Sequence, residues 1–377
     1  GCQKIPPLPF FKEFPMSQRV SYSGAGPAML PTQVMEEVQE EMLDYQGHGA
    51  SIIEISHRAP PFLEILEKTE EVFRRLTGLG SSHTLFFMHG GAQMQFSAVP
   101  LNLMARKEKQ TAVYLITGKW GVLAEKEARK FGTTQIAIDG KLNRYRSIPT
   151  WQAPVNPEAS YVHLTSNNTL YGTQWQKYPE TGEVPLVSDS TSDILSRVMD
   201  YSQFGLVYAG LQKNLGPSGL ALVLIRRDLL GMAQPQTPKL LDYQLADEQR
   251  SLANTTSVFS IYVTLKMLRW VEQQGGVIVM EQKNREKSKL LYEVLDNSEF
   301  YHAVAAPENR SICNVTFHLR DKTKEKQFLY ESLQEGLYAL KGHREVGGLR
   351  ASIYNPMPLD GVQALADFMK TFENREA

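Results

Sequence analysis

Apolar residues fall on helical spacing near the start of the chain. Val34, Val38 and Met42 stand four apart among acidic residues, which predicts an amphipathic helix over 31–45 with Pro31 near its start. The spacing recurs over 61–77 through Phe62, Ile65, Leu66, Thr69, Val72, Phe73 and Leu76. The pattern then alternates. TLFFM (84–88) reads as a strand before a helix at 92–106, and AVYLIT (112–117) as a strand before the helical GVLAEKEARKFG. TTQIAI (133–138), YVHLTS (161–166), VPLVSD (184–189), GLVYAG (205–210) and ALVLIR (221–226) follow as short β-rich runs.

Such runs alternating with helical stretches argue for an α/β fold, a parallel or mixed sheet covered by helices. From about 256 a long helical stretch leads into a more basic tail. In that tail KNREKSKLLYEVLD and FLYESLQEGL read as helices, NVTFHL and LRASIY as strands, and a last helix closes the chain. The expected boundary lies near 275–280, at Gly275 and Gly276. This gives a large domain over 16–277 and a smaller C-terminal α+β domain over 278–377. Residues 1–15 are proline-rich and read as a flexible extension ahead of Met16.

Composition narrows the partners more than the fold. Forty Lys plus Arg nearly cancel forty-one Asp plus Glu, so there is no nucleic-acid footprint, and anions must be met by local clusters. No apolar run approaches the roughly 20 residues of a membrane span. Two cysteines, Cys2 and Cys313, are too few for a disulfide framework and fit a reducing, cytoplasmic setting. Cys313, in a strand-like segment, is expected to pack as a small hydrophobe.

The chemistry centres on Lys213. It ends FGLVYAGLQK, where an apolar run meets a glycine/proline turn. An amine in apolar surroundings tends to lose its proton and becomes a nucleophile suited to Schiff-base formation. A surface lysine opening a loop is the commoner outcome for such a position, but other strand ends point the same way. HGGA (89–92) puts small residues before a helix, whose free N–H groups suit a phosphate. TGKWG (117–121) brings Trp120, TSNNT (165–169) brings hydroxyls and amides, and VSDST (187–191) ends on Asp189. Each alone is also explained by turns, caps or core. Jointly they supply a phosphate cradle, a surface for a flat ring, an acid for a ring nitrogen and an amine for an aldehyde, the needs of pyridoxal 5′-phosphate. GAGPAM (24–29) begins like a dinucleotide fingerprint but lacks its third glycine, and GxxxxGK[ST], HExxH and CxxC are absent.

Longer blocks then resemble one family. GPAMLP (26–31), SHR (56–58), HGGAQMQF (89–96), YAGLQKNLGPSGL (208–220), LKGHREVGGLRASIYN (340–355) and PLDGV (358–362) resemble the phosphoserine aminotransferases, class V members of the fold-type I pyridoxal enzymes. The resemblance runs from Met16 to the end. It implies a mostly parallel seven-stranded sheet in the large domain. It also implies transamination of 3-phosphohydroxypyruvate with L-glutamate, giving O-phospho-L-serine and 2-oxoglutarate, and activity on 3-hydroxy-2-oxo-4-phosphobutanoate in pyridoxine synthesis. By resemblance Lys213 is the Schiff-base lysine, Asp189 the partner of the ring nitrogen and Trp120 the stacking residue. Thr169 and Gln212 contact cofactor oxygens, and the Ala92 and Gln93 backbone cradles the phosphate. Asn254 and Thr255 reach the phosphate of the other subunit, making a homodimer whose site the partner completes. Arg58 and Arg350 bind substrate carboxylate; His57, His343 and Arg344 take the second anionic end. Two positions depart from the family: Ala25 replaces a frequent serine, and Gln93 replaces an arginine found in some members. A serine–glyoxylate type activity, or a pyridoxal-phosphate binder without catalysis, are the alternatives.

Overall fold

The computed structural model describes residues 19–151 and 154–377. The expected extension at 1–15 lies outside them. In chain order the elements are β1 (Ser21–Tyr22), α1 (Thr32–Glu40), α2 (Pro60–Thr77), β2 (His83–His89), α3 (Gly91–Leu103), β3 (Thr111–Ile116), α4 (Lys119–Ala128) and β4 (Thr133–Asp139). They continue with β5 (Val162–Thr165), β6 (Asn167–Asn168), β7 (Thr173–Gln174), β8 (Leu186–Asp189), β9 (Leu206–Gly210), β10 (Leu220–Arg226), α5 (Tyr243–Glu248), α6 (Val258–Gln273) and α7 (Gly276–Asp296). The C-terminal part holds β11 (Tyr301–Ala303), β12 (Asn314–Leu319), α8 (Glu325–Gln334), β13 (Leu337–Tyr338), β14 (Leu349–Ser352) and α9 (Leu359–Glu376).

The main sheet has seven strands in the order β2-β10-β9-β8-β5-β3-β4. β10 runs antiparallel to both its neighbours; the other pairings are parallel. Side chains leave this sheet alternately on two faces. Leu85, Phe87, Val113, Leu115, Leu222 and Leu224 join the core on the side of α2 and α6. Phe86, Met88, Tyr114, Ile116, Val223 and Ile225 join the core on the side of α3 and α4. Burial on both faces explains why these strands are continuous apolar runs.

The hydrophobic pattern located most elements and missed some of their ends. The first helix stops at Glu40, well short of residue 45, and α3 stops at Leu103 with one tight turn after it. Asp189 and Lys213 stand 24 positions apart, room for one crossover between parallel strands. β8 and β9 are parallel neighbours joined by such a crossover, which holds only turns and a single 3₁₀ turn at Tyr201–Gln203.

The C-terminal part packs a three-stranded antiparallel sheet, β11-β12-β14, with α8, α9 and the end of α7 around a separate core. α7 spans both cores. Val277 and Met280 sit in the first, Leu291, Val294 and Leu295 in the second. The N-terminal strand β1 pairs with β13 of this part. Cys313 is fully buried beside Ile312 and Tyr354, just ahead of β12.

Candidate active site

The carboxyl ends of β2, β3, β5, β8 and β9 converge on one cavity of about 540 Å³, the position at which open α/β sheets place their ligands. β2 delivers the turn into α3, so the backbone of Gly91, Ala92 and Gln93 lines one wall as a helix N-terminus. The turn needs glycine: Gly90 has φ +89°, and a Cβ there would lie 2.6 Å from Met94. β3 delivers Trp120 through the start of α4, β5 delivers Thr165, and β8 delivers Asp189. Beyond β9 a tight turn, with Leu215 and Gly216 donating back to the Leu211 carbonyl, presents Gln212 and Lys213.

Lys213 is buried, and its amine has no hydrogen-bond partner among the described residues. Burial lowers its pKa to about 8, against the pull of Asp189; the Arg350 guanidinium lowers it further. The Asp189 carboxyl is pushed up by burial, opposed by two donors from Thr191: the N–H at 3.1 Å and the hydroxyl at 2.6 Å, both to Oδ1. The cavity therefore holds a deprotonable amine and a carboxyl, at the ends of neighbouring strands, that form no ion pair with each other. Trp120 is fixed by donating from Nε1 to the Thr169 hydroxyl at 3.2 Å. The Thr169 carbonyl accepts from Arg350 at 3.1 Å. Thr169 thus ties the ring wall to the guanidinium on β14 instead of lining the cavity itself.

These residues fit the cofactor the sequence points to. The Thr165 hydroxyl is buried in the cavity wall without a hydrogen-bond partner among the described residues, a polar atom with capacity for a ligand. The helix N-terminus suits a phosphate, Asp189 a ring nitrogen and Lys213 an aldehyde. Gly26 (φ +137°) closes against Lys213, with its missing Cβ only 3.4 Å from the lysine Cε.

Ala92, Gln93, Trp120, Asp189, Gln212 and Lys213 are thus brought together, with Thr169 and Arg350 at the edge. His343 and Arg344 lie on the loop between β13 and β14. That loop is tied to α4 by an ion pair between Lys119 and Glu345. The His343 imidazole is held below its ordinary value, first by burial and then by Lys119. His57, Arg58, Asn254 and Thr255 do not line the Lys213 cavity. Arg58 and Thr255 are exposed, and Asn254 borders a separate small cleft beside the end of β2.

Sequence reasoning missed a chain of three asparagines behind Lys213. Asn214 accepts from the Asn355 backbone N–H at 3.1 Å and donates to the Ile194 carbonyl at 3.0 Å. Asn355 donates to the Leu195 carbonyl, and Asn284 of α7 donates to Asn355 Oδ1 at 2.8 Å. The residue next to Lys213 is thereby pinned to the C-terminal part. A second buried cluster backs Asp189: Asp193 accepts from the Ser166 hydroxyl, from Gln174 at 3.0 Å and from Arg197 at 3.2 Å. Among the described residues no group of His, Cys, Asp and Glu could hold a metal. None of their helices is long and apolar enough to cross a membrane.

With this geometry in place, comparison with known proteins is direct. Residues 21–365 match the family described as aminotransferase class-V, and the chain belongs to that family. Within it, the phosphoserine aminotransferase of Lysinibacillus sphaericus is 45% identical over 362 residues, covering 96% of this chain and 99% of the relative. The solved phosphoserine aminotransferase of Bacillus circulans subsp. alkalophilus superposes with a TM-score of 0.92 at 42% identity, over 95% of this chain and 99% of that one. A pyridoxal-phosphate-bound phosphoserine aminotransferase from Trichomonas vaginalis gives 0.89 at 32% identity, over 93% and 100%.

Proposed function

We propose that the chain transfers the amino group of L-glutamate to 3-phosphohydroxypyruvate, giving 2-oxoglutarate and O-phospho-L-serine, with pyridoxal 5′-phosphate held in the Lys213 cavity. The observation that carries this reading is the buried, unpaired Lys213 amine facing the same cavity as Asp189 and the N-terminus of α3. When bound, the cofactor supplies an aldehyde for the amino group and a protonated ring that draws electrons from the substrate Cα.

The chain's own residues do the rest. Lys213, with its pKa near 8, has a neutral fraction at neutral pH two to three orders of magnitude above that of an ordinary lysine. Its amine would hold the cofactor through the aldehyde and, when free, would move the proton on and off the substrate Cα as general acid and base. Asp189 would keep the ring nitrogen protonated. Trp120, held by Thr169, would cover the ring face; Gln212 would meet a ring oxygen, and the Ala92 and Gln93 N–H groups would hold the phosphate. Arg350 takes the substrate carboxylate, where its planar fork suits two oxygens. His343 and Arg344 meet the second anionic end, which is a carboxylate in glutamate and a phosphate in the other substrate.

Asn254 and Thr255 stand outside this chain's own cavity, and the reading assigns them to the cavity of a second copy, in a cytoplasmic homodimer; His57 and Arg58, also outside it, keep the substrate-anion roles that the resemblance implies. The division into a large domain to 277 and a small domain from 278 is part of the same proposal, with α7 as the element shared between them.

A coupled assay with O-phospho-L-serine and 2-oxoglutarate tests the reading, run beside unphosphorylated serine with glyoxylate. Marked preference for the phosphorylated donor, with ping-pong kinetics, is the expected result. Preference for serine and glyoxylate would place the chain with another class V activity. Binding of the cofactor without any turnover of glutamate would make it a non-catalytic homologue.

A further inference from the structure

A second cavity, of about 340 Å³, opens on the outer side of the loop that carries His343 and Arg344. Arg144, Arg146, Lys322, His302 and His318 line it, and Glu345 is its one acidic residue. The two histidines are cross-strand partners on β11 and β12, their rings stacked 5.4 Å apart at 20°. β12 runs from this cavity to Arg350 at the edge of the first. Thr316 is registered opposite Arg350, and His318, two residues on, leaves the same face of the strand about 7 Å further along.

The charges here are poorly balanced. Glu345 is committed to Lys119, away from the cavity's own cations. Arg144 and Lys322 have no carboxylate within ion-pair distance among the described residues, and Arg146 donates only to the Val304 carbonyl, at 3.1 Å. Glu325 lies 3.5 Å from His318 Nδ1, yet that buried nitrogen makes no hydrogen bond. The local field is positive: beyond burial, His318, Arg320, Arg146 and Lys322 all hold the His302 imidazole below its ordinary value. Like charges gathered in a concave site repel one another until an anion joins them, and two guanidinium forks match phosphate oxygens.

We propose that this cavity is a second anion site, taking a small molecule that carries two or more negative charges on phosphate groups. Its ligand would touch Glu345 and Val346, and so share a loop with His343 and Arg344. That consequence rests on the proposed substrate role of those two residues, whereas binding itself does not.

The test is titration calorimetry of the pyridoxal-phosphate-loaded protein with inorganic pyrophosphate, with the substrate site saturated by O-phospho-L-serine. The wild type is expected to bind pyrophosphate still. The double variant Arg144→Glu/Lys322→Glu, which alters two exposed side chains without ion-pair partners, should bind it weaker by on the order of tenfold or more. Its melting temperature and transaminase rate should stay near wild type. Absence of binding in the saturated wild type, or undiminished binding in the variant, overturns the site. Failure to transaminate phosphoserine would instead count against the proposed function, and the comparison of wild type with variant would still judge this cavity.

Discussion

Two lysines among the described residues are buried, and they differ in a way that identifies the reactive one. Lys213, in the turn after β9, and Lys287, in the middle of α7, are 8% and 2% exposed. Burial lowers both, Lys213 to about 8 and Lys287 to about 7. By those values alone Lys287 would be the better candidate. Its surroundings say otherwise. Lys287 Nζ donates to three carbonyls, of Ile353 at 3.1 Å, Tyr354 at 2.8 Å and Met357 at 3.0 Å. Three acceptors match the three N–H bonds of an ammonium and favour the charged form against the pull of burial. Lys287 is a clamp on the chain just beyond Arg350 and β14. Lys213 has a cavity in front of it and no acceptor among the described residues. A depressed pKa marks a buried amine; an open face marks a reactive one.

The contrast can be broken most severely at Lys213. Replacement by Ala is expected to lower transamination by on the order of a thousandfold or more, while the urea midpoint stays close to wild type, because no hydrogen bond is lost. A variant with near-normal turnover would remove the distinction between the two lysines. Asp189→Asn keeps an oxygen for the Thr191 donors but removes the charge. A loss of about a hundredfold in kcat is expected, with far-ultraviolet circular dichroism unchanged; full activity would mean that the carboxyl has no part in the chemistry.

At Lys287 the expected order of effects reverses. Lys287→Ala leaves three buried carbonyls without their donor and costs about 2–4 kcal/mol of stability, read from the urea midpoint. Cofactor that still binds at a protein concentration and temperature where the variant is folded should react as in wild type. A stable but chemically dead variant would mean that Lys287, too, acts in catalysis.

The smallest effect concerns pH. The folded value of Lys213 lies below the ordinary lysine value of 10.5, so between about pH 8 and 10.5 the unfolded chain holds the extra proton. Its contribution to the cofactor-free protein therefore becomes less unfavourable as pH rises through that window and is flat below it. In the same way, the rate at which the cofactor-free protein captures pyridoxal 5′-phosphate should climb from pH 6 and level off above about 8. A rate still rising beyond pH 9.5 would mean an ordinary, solvated amine.

Much of this was legible before the fold was known, and the reasons are local. Apolar periodicity located the helices because each buries one stripe, and α2 buries the six residues from Phe62 to Phe73 that the spacing picks out. Strand ends carried Asp189, Trp120 and the HGGA turn to one side of the sheet because parallel strands share a direction. The antiparallel sense of β10 was not legible, since an apolar run fully buried in a sheet reads the same either way. Nor was Lys287. KNREKSK looks like a solvated charge run, yet Asn284, Lys287, Ser288 and Leu291 form the buried face of α7. Its partners lie 66 to 70 residues away, and Asn355 meets Asn214 across 141. Contacts at that separation leave no local pattern. The roles of His343, Arg344 and Arg350 came from resemblance alone, because a loop reading GHREVGG has no periodicity to interpret.

One chemical trapping experiment goes to the centre of this. The protein is loaded with pyridoxal 5′-phosphate, reduced with borohydride, digested and analysed by mass spectrometry. A single phosphopyridoxyl adduct on the peptide containing Lys213 is the expected result. An adduct on Lys287 or on a surface lysine, with Lys213 unmodified, would contradict it.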